Sequence, residues 1–185
     1  DNKTNKLFFY NKNKLVPFGE FLPFENFFKK FGFKKITQGY QSFSPDRKRK
    51  IIYLNQLTFL PLICYEIIYS GKLNYDKKDY NFILNISEDG WFGKSVGLSQ
   101  HLSHSIFRSI EEGKNVIRSS NNGISAFINP KGQIIKKISK KGYIDQRSFK
   151  YVDKTYFANN GNKIFFYFLL FYITLIFFLK KRENR

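Results

Sequence analysis

The chain has 185 residues, 42% apolar and 25% charged, with a formal net charge of +18. That balance is globular and excludes a disordered or low-complexity chain. The basic excess would fit nucleic acid or an anionic membrane surface, yet 25 of the 32 basic residues are Lys. They are scattered, with no RNA- or DNA-binding signature, so nucleic acid is not an expected partner. The single Cys rules out an intramolecular disulfide framework and leaves Cys64 as either a buried small apolar residue or a reactive thiol. The sequence contains no Met, from which we expect part of a longer protein.

In chain order, Leu7 to Tyr10 reads as a short apolar strand, and Lys14 to Pro23 as a loop punctuated by Pro17, Gly19 and Pro23. Phe24 to Phe31 reads as a short helix. Strands are expected at Ile51 to Tyr53, Thr58 to Ile63 and Tyr80 to Ile86, although Pro61 forfeits a ladder hydrogen bond in the second. Leu98, Leu102, Ile106 and Ile110 recur every four residues. This predicts an apolar stripe on a helix from Gly97 to Glu112, capped by Gly113. Strands at Asn115 to Arg118 and Ile124 to Ile128 follow, and a turn at Asn129 to Gly132 leads into Gln133 to Ile138 as a hairpin. Strands interleaved with helices define an α/β layered domain.

Ile164 to Leu179 carries no charge and is followed at once by Lys180, Lys181 and Arg182. A helix apolar on every face needs lipid or complete burial. The expectation is a membrane helix with a basic cytoplasmic end; a buried core helix is the alternative. The division is therefore a catalytic portion over residues 1–155, the membrane helix with its interfacial lead-in over 156–179, and a basic cytoplasmic tail over 180–185.

Cys64 ends the apolar run Phe59 to Cys64 and is followed by Tyr65 and Glu66. A nucleophile at a strand terminus on a sharp turn is exposed to substrate while the sheet holds it. Upstream stands Tyr10-Asn11-Lys12-Asn13-Lys14-Leu15-Val16-Pro17-Phe18-Gly19-Glu20. Downstream come Asp89-Gly90-Trp91-Phe92-Gly93, Gln100-His101, Arg108 with Glu111, and Arg118 to Ser125. In this order and spacing the chain resembles the catalytic domain of the bacterial apolipoprotein N-acyltransferases, membrane members of the nitrilase (carbon-nitrogen hydrolase) superfamily.

The resemblance implies a nitrilase-like α-β-β-α layered sandwich, here lacking its N-terminal part, followed by one transmembrane helix. It implies a Glu-Lys-Cys triad in which Cys64 is the nucleophile. Lys12 would favour the thiolate and meet the oxyanion together with a backbone N–H beside the Cys. Glu20 would orient Lys12 or relay protons, Glu66 would hold the loop carrying Cys64, and Tyr65 and Trp91 would lie near the substrate. The triad's general-base Glu would precede the Lys block, outside this chain, and a fragment without it should be inactive. Glu88 departs from the Asn that the family often has before Asp89.

Read without the resemblance, Lys12 is one solvated Lys among 25, Glu20 a loop acid, Glu66 a helix-start acid, and Tyr65 and Trp91 packing residues. His101 and His104 are assigned to packing or capping, because no carboxylate or Cys cluster accompanies them. Phe21, Phe24, Phe27 and Phe28 form either a lipid-facing flap or core.

The implied activity passes an acyl chain from a phospholipid, through a Cys thioester, to the N-terminal amine of a diacylglyceryl-modified apolipoprotein. It would take place at the bacterial inner membrane with the catalytic domain on the periplasmic side. No cofactor and no metal are expected, and the protein would act as a monomer. A small-amide amidase on the same scaffold and a non-catalytic membrane-anchored module are the alternatives.

Overall fold

The computed structural model describes residues 7–32, 43–71, 73, 78–148 and 152–183. One six-stranded mixed sheet organises them: β1 (Ile52–Leu54), β2 (Leu57–Ile63), β3 (Phe82–Glu88), β4 (Asn115–Asn121), β5 (Ser125–Ile128) and β6 (Ile134–Ile138), neighbours in space as in sequence. The central β2, β3 and β4 are parallel, while β1 at one edge and β5 and β6 at the other run antiparallel. Tight turns serve the antiparallel pairs, but parallel neighbours need a crossover. Between β3 and β4 that crossover is helix α2 (Gly97–Glu112), ended by Gly113 in the left-handed region as its position after the helix predicts. Pro61 is tolerated within β2 because β1 pairs only with Leu57 to Phe59, leaving that side of β2 open beside the proline.

Alternation along the strands turns Leu60, Leu62, Ile83, Val116, Ala126 and Ile128 to the face under α2, where with Ile67, Leu73, Tyr80 and Leu102 they form the core. The other face carries Phe59 stacked on Phe82, with Leu84, Ile86 and Ile117 in register beside them. It is apolar and partly open, and Ile86 is 52% exposed.

Two expectations are corrected. Leu7 to Tyr10 is not a strand: it pairs with none among the described residues, and Leu7 and Phe9 are largely exposed. Its anchor is the Tyr10 hydroxyl, bonded to Glu66. The second concerns α2, whose buried side takes in only part of the four-residue apolar stripe: Leu102 lies in the core and Ile106 packs against it, but the rest of the buried face is polar. His101, Leu102, Ser105, Arg108, Ser109 and Glu112 are buried, while Ile110 is 45% exposed. The reason lies in the sheet beneath, where inward positions of β3 and β4 hold Asn85, Ser87 and Arg118, and buried polar groups demand polar partners.

The phenylalanine segment contains a one-and-a-half-turn helix, α1 (Glu25–Lys30), with Phe24 and Phe27 exposed beside it. After a second short helix, α3 (Tyr156–Asn160), capped by the Thr155 hydroxyl on the Ala158 N–H, α4 runs Lys163–Glu183. Its stretch Lys163–Arg182 is long and apolar enough to cross a membrane, and none of it is buried against the rest of the chain. Among the described residues nothing buries it as a core helix would be buried. The helix also runs past the expected boundary at 179, so that Lys180, Lys181 and Arg182 form its last turn and complement its dipole.

Candidate active site

At the C-terminal ends of β2 and β3, where ligands of open parallel sheets gather, a cavity of about 370 Å³ opens. Cys64, Tyr65, Glu20 and Trp91 line it, with Val16, Pro17, Ile68 and Phe92 supplying apolar wall. Cys64 follows the last residue of β2 and begins a 3-10 turn, Cys64–Ile68, with φ +50. A left-handed non-glycine residue costs on the order of 1–3 kcal/mol and persists only where its surroundings over-determine it. The sharp turn expected at the strand end is present, and it projects the thiol past the sheet, with Sγ 4.0 Å from the Glu88 carbonyl.

Glu66 over-determines part of that turn. Fully buried, it accepts from the Ile63 N–H at 2.8 Å, the Asn13 N–H at 2.8 Å and the Tyr10 hydroxyl at 2.9 Å, with Arg49 Nε at 3.6 Å. One carboxylate thus joins the cysteine turn to the loop bearing Lys12. Burial, first, and the adjoining Glu66 charge push the Tyr10 phenol far up, so it stays a donor.

Lys12 Nζ donates to both Glu20 oxygens, at 2.7 and 2.9 Å, and Glu20 also accepts from the Val16 N–H at 2.9 Å. Both side chains are mostly shielded, at 11% and 24% exposure, which favours a direct pair over two hydrated ions. Glu20 lines the cavity; Lys12 and Glu66 are not among its lining residues, and Lys12 is held by Glu20 rather than against the Cys64 thiol. Tyr65 packs edge-on to Tyr69 at 5.5 Å, and Trp91 is 62% exposed at the cavity.

Below the thiol lies a polar network. Asp89 accepts from Ser87 Oγ at 2.7 Å and Arg118 at 2.6 Å, and His101 Nδ1 lies 2.8 Å from it. Arg118 also bonds Asn85 and the Ile124 carbonyl. Burial alone would raise the Asp89 carboxyl, but the hydrogen bonds from His101 and Ser87 and the Arg118 charge override it and hold it far below the usual carboxylate range. Gly123 is obligatory here, since a Cβ would overlap Asp89 Oδ2 and Ser120 Oγ. Glu88, in the place of Asn, accepts from the Gly90 N–H and from Asn121 and Asn122, tying the ends of β3 and β4.

His101, expected to pack or cap, packs against Phe92 and also reaches the Cys64 carbonyl, Nε2 to O 3.3 Å. The available signal was the run of polar residues at inward strand positions, Asn85, Ser87 and Arg118, which calls for a polar partner from the covering helix. His104 lines the cavity, and burial followed by the Arg108 and His101 charges lowers its imidazole below the ordinary value. Among the described residues no group of His, Cys, Asp and Glu has the clustering of a metal site.

The α/β sheet presents a cysteine from a strand end into an apolar cleft, the placement a thiol nucleophile would need. The carbon-nitrogen hydrolase family profile matches residues 1–144, and the chain belongs to that family. It is 37% identical over 191 residues to an apolipoprotein N-acyltransferase of Rickettsia prowazekii, covering 96% of this chain and 37% of that one. It is 41% identical over 138 residues to the protein so named from Rhizobium leguminosarum bv. trifolii, covering 73% and 26%. The chain thus spans about a third of the length of the curated relatives it matches. Among solved structures, a carbon-nitrogen hydrolase superfamily protein from Xanthomonas campestris aligns with TM-score 0.49 and 16% identity over 70% of this chain and 47% of that one.

Proposed function

We propose that this protein serves an apolipoprotein N-acyltransferase reaction in which Cys64 carries the acyl chain. The observation that carries the reading is the placement of Cys64, in a strained turn, on the wall of an apolar cleft. An acyl chain leaving lipid needs such a dry receptacle beside the nucleophile. The relatives' shared name and the exposed apolar α4 support it.

In the first half-reaction the Cys64 thiolate attacks the ester carbonyl of a phospholipid. The C–S bond forms while Lys12 and the N–H beside the Cys meet the oxyanion. The C–O bond then breaks and the alkoxide departs with a proton as a lysophospholipid. In the second half-reaction the amine of the diacylglyceryl-modified N-terminal Cys of an apolipoprotein attacks the thioester. It gives up its proton, and the thiolate leaves as the amide forms. Glu20, bonded to Lys12 and facing the cleft, relays protons, while a general-base Glu preceding the Lys block completes the triad. Glu66 holds the turn, and Tyr65 and Trp91 flank the chain. The helix spans the bacterial inner membrane with its basic end cytoplasmic, the catalytic domain is periplasmic, and the protein acts as a monomer.

The test incubates the full-length protein with phospholipid vesicles. A thioester-linked acyl mass is expected on the Cys64 peptide, to be absent in Cys64→Ala and strongly reduced in Lys12→Ala with unchanged folding. N-acylation of a lipopeptide by Cys64→Ala overturns the mechanism.

A further inference from the structure

We propose that His101 is a positioning residue for the acylation step: by holding the Cys64 carbonyl, it aims the Tyr65 N–H on the opposite edge of the same peptide unit. The proposal rests on the reading of Cys64 as an acyl carrier and names a group that aligns its oxyanion partner.

A carbonyl oxygen only accepts, so the His101 Nε2 that lies 3.3 Å from the Cys64 carbonyl carries the hydrogen. The Cys64–Tyr65 peptide is planar and trans, which points its C=O and N–H in opposite directions, so fixing one fixes the other. Left to itself this unit could rotate, because Cys64 occupies the left-handed region, which side chains disfavour. The turn is held from both sides. Glu66 takes the Ile63 N–H before the cysteine, and His101 takes the carbonyl of the cysteine itself.

The His101 ring cannot yield readily. It is 4% exposed, and its Nδ1 side faces Asp89 at 2.8 Å. The Arg118 guanidinium holds the other oxygen of Asp89 at 2.6 Å, with both partners fully buried. Phe92 lies against the imidazole, ring centroids 5.4 Å apart. A chain of contacts from β4 through Asp89 and α2 therefore ends on the backbone of the nucleophile. Outer partners of this kind set the geometry of the groups that touch substrate.

Two reactions of the same thiol separate aiming from mere support. Acylation by p-nitrophenyl butyrate passes through an oxyanion, whereas alkylation by iodoacetamide does not. In the full-length protein, His101→Leu should slow the nitrophenol burst by about 10- to 100-fold with little change in KM. Alkylation of Cys64 should stay within about twofold of wild type. His101→Gln, whose amide N–H can reach the carbonyl, should recover most of the acylation rate, leaving a deficit of about three- to tenfold.

An unchanged burst in His101→Leu, or parallel loss of acylation and alkylation, overturns the proposal. Should the Leu variant lose its helical circular dichroism, His101→Gln decides. Its partial acylation defect with normal alkylation supports the proposal; a wild-type burst or a parallel loss overturns it. The butyrate ester needs neither phospholipid nor lipoprotein. A wild type that takes acyl from the ester and never from phospholipid therefore refutes the proposed function while leaving the His101 result readable.

Discussion

At Cys64 the backbone adopts a conformation that glycine reaches without steric penalty, yet the residue there is a cysteine. The strain measures how firmly the surroundings impose the turn, and it is open to a stability comparison. Both Cys64→Ala and Cys64→Gly abolish the nucleophile, but only Gly relieves the left-handed strain. Cys64→Gly should therefore be more stable than Cys64→Ala by about 1 kcal/mol, or a few degrees in Tm for a chain of this size. Thermal melts of the two variants in one detergent check this, and an Ala variant at least as stable as Gly contradicts it. Lys12 and Glu66 divide along similar lines. Lys12 stands in one bidentate pair with Glu20, whereas Glu66 serves three close donors from two segments and cannot be replaced without loosening both.

Helix α2 shows how an element can be legible in outline and misread in its orientation. Its limits and its glycine stop follow from local chemistry: periodic apolar residues, then a position that wants positive φ. Its inward face does not, because that depends on which strand residues lie opposite. Arg108 bonds the Ile68 carbonyl and Glu111, so the helix also grips the end of the turn that begins at Cys64. Of the expected stripe, Leu102 enters the core and Ile106 packs against it, while Ile110, with Ile106, also lies against Gly132 in the β5–β6 turn. Gly113 has φ +64, and a Cβ there would stand 2.8 Å from the Asp153 carbonyl oxygen. Gly113→Ala should cost at least about 1–2 kcal/mol, seen as a lower unfolding midpoint with catalytic rate per folded molecule unchanged.

For the whole molecule, the buried Asp89–Arg118 pair joins β3, β4 and α2, and its titration is global. The Asp89 carboxyl is depressed in the folded state, so the folded form binds this proton less readily than the unfolded chain does. The contribution is full above the unfolded value near 4 and is lost as pH falls toward the folded value. Wild type should be more stable than Asp89→Asn at pH 7, and the gap should close progressively below pH of about 4. Melts of the two proteins across that range read it, and a constant gap contradicts the assignment. At the far end of the chain, α4 stands clear of the sheet, its apolar surface unshielded by any described part of the protein. Of the four phenylalanines read as flap or core, Phe24 and Phe27 are exposed, whereas Phe21 and Phe28 are half-buried.

Composition and pattern alone determined the α/β order, the limits of α2, the apolar terminal helix and the place of Cys64 at a strand end, because each is written in neighbouring residues; the candidacy of Lys12, Glu20 and Glu66 rested on the family resemblance. Four matters waited for the tertiary structure. Leu7 to Tyr10 is anchored through the Tyr10 hydroxyl and has no strand partner among the described residues. Glu66 serves two segments, the buried side of α2 is mostly polar, and His101 spans the distance from Asp89 to the Cys64 carbonyl. All four are contacts between residues far apart in the chain. A hydrogen bond's partner is chosen by distance in space, and no local periodicity encodes that distance.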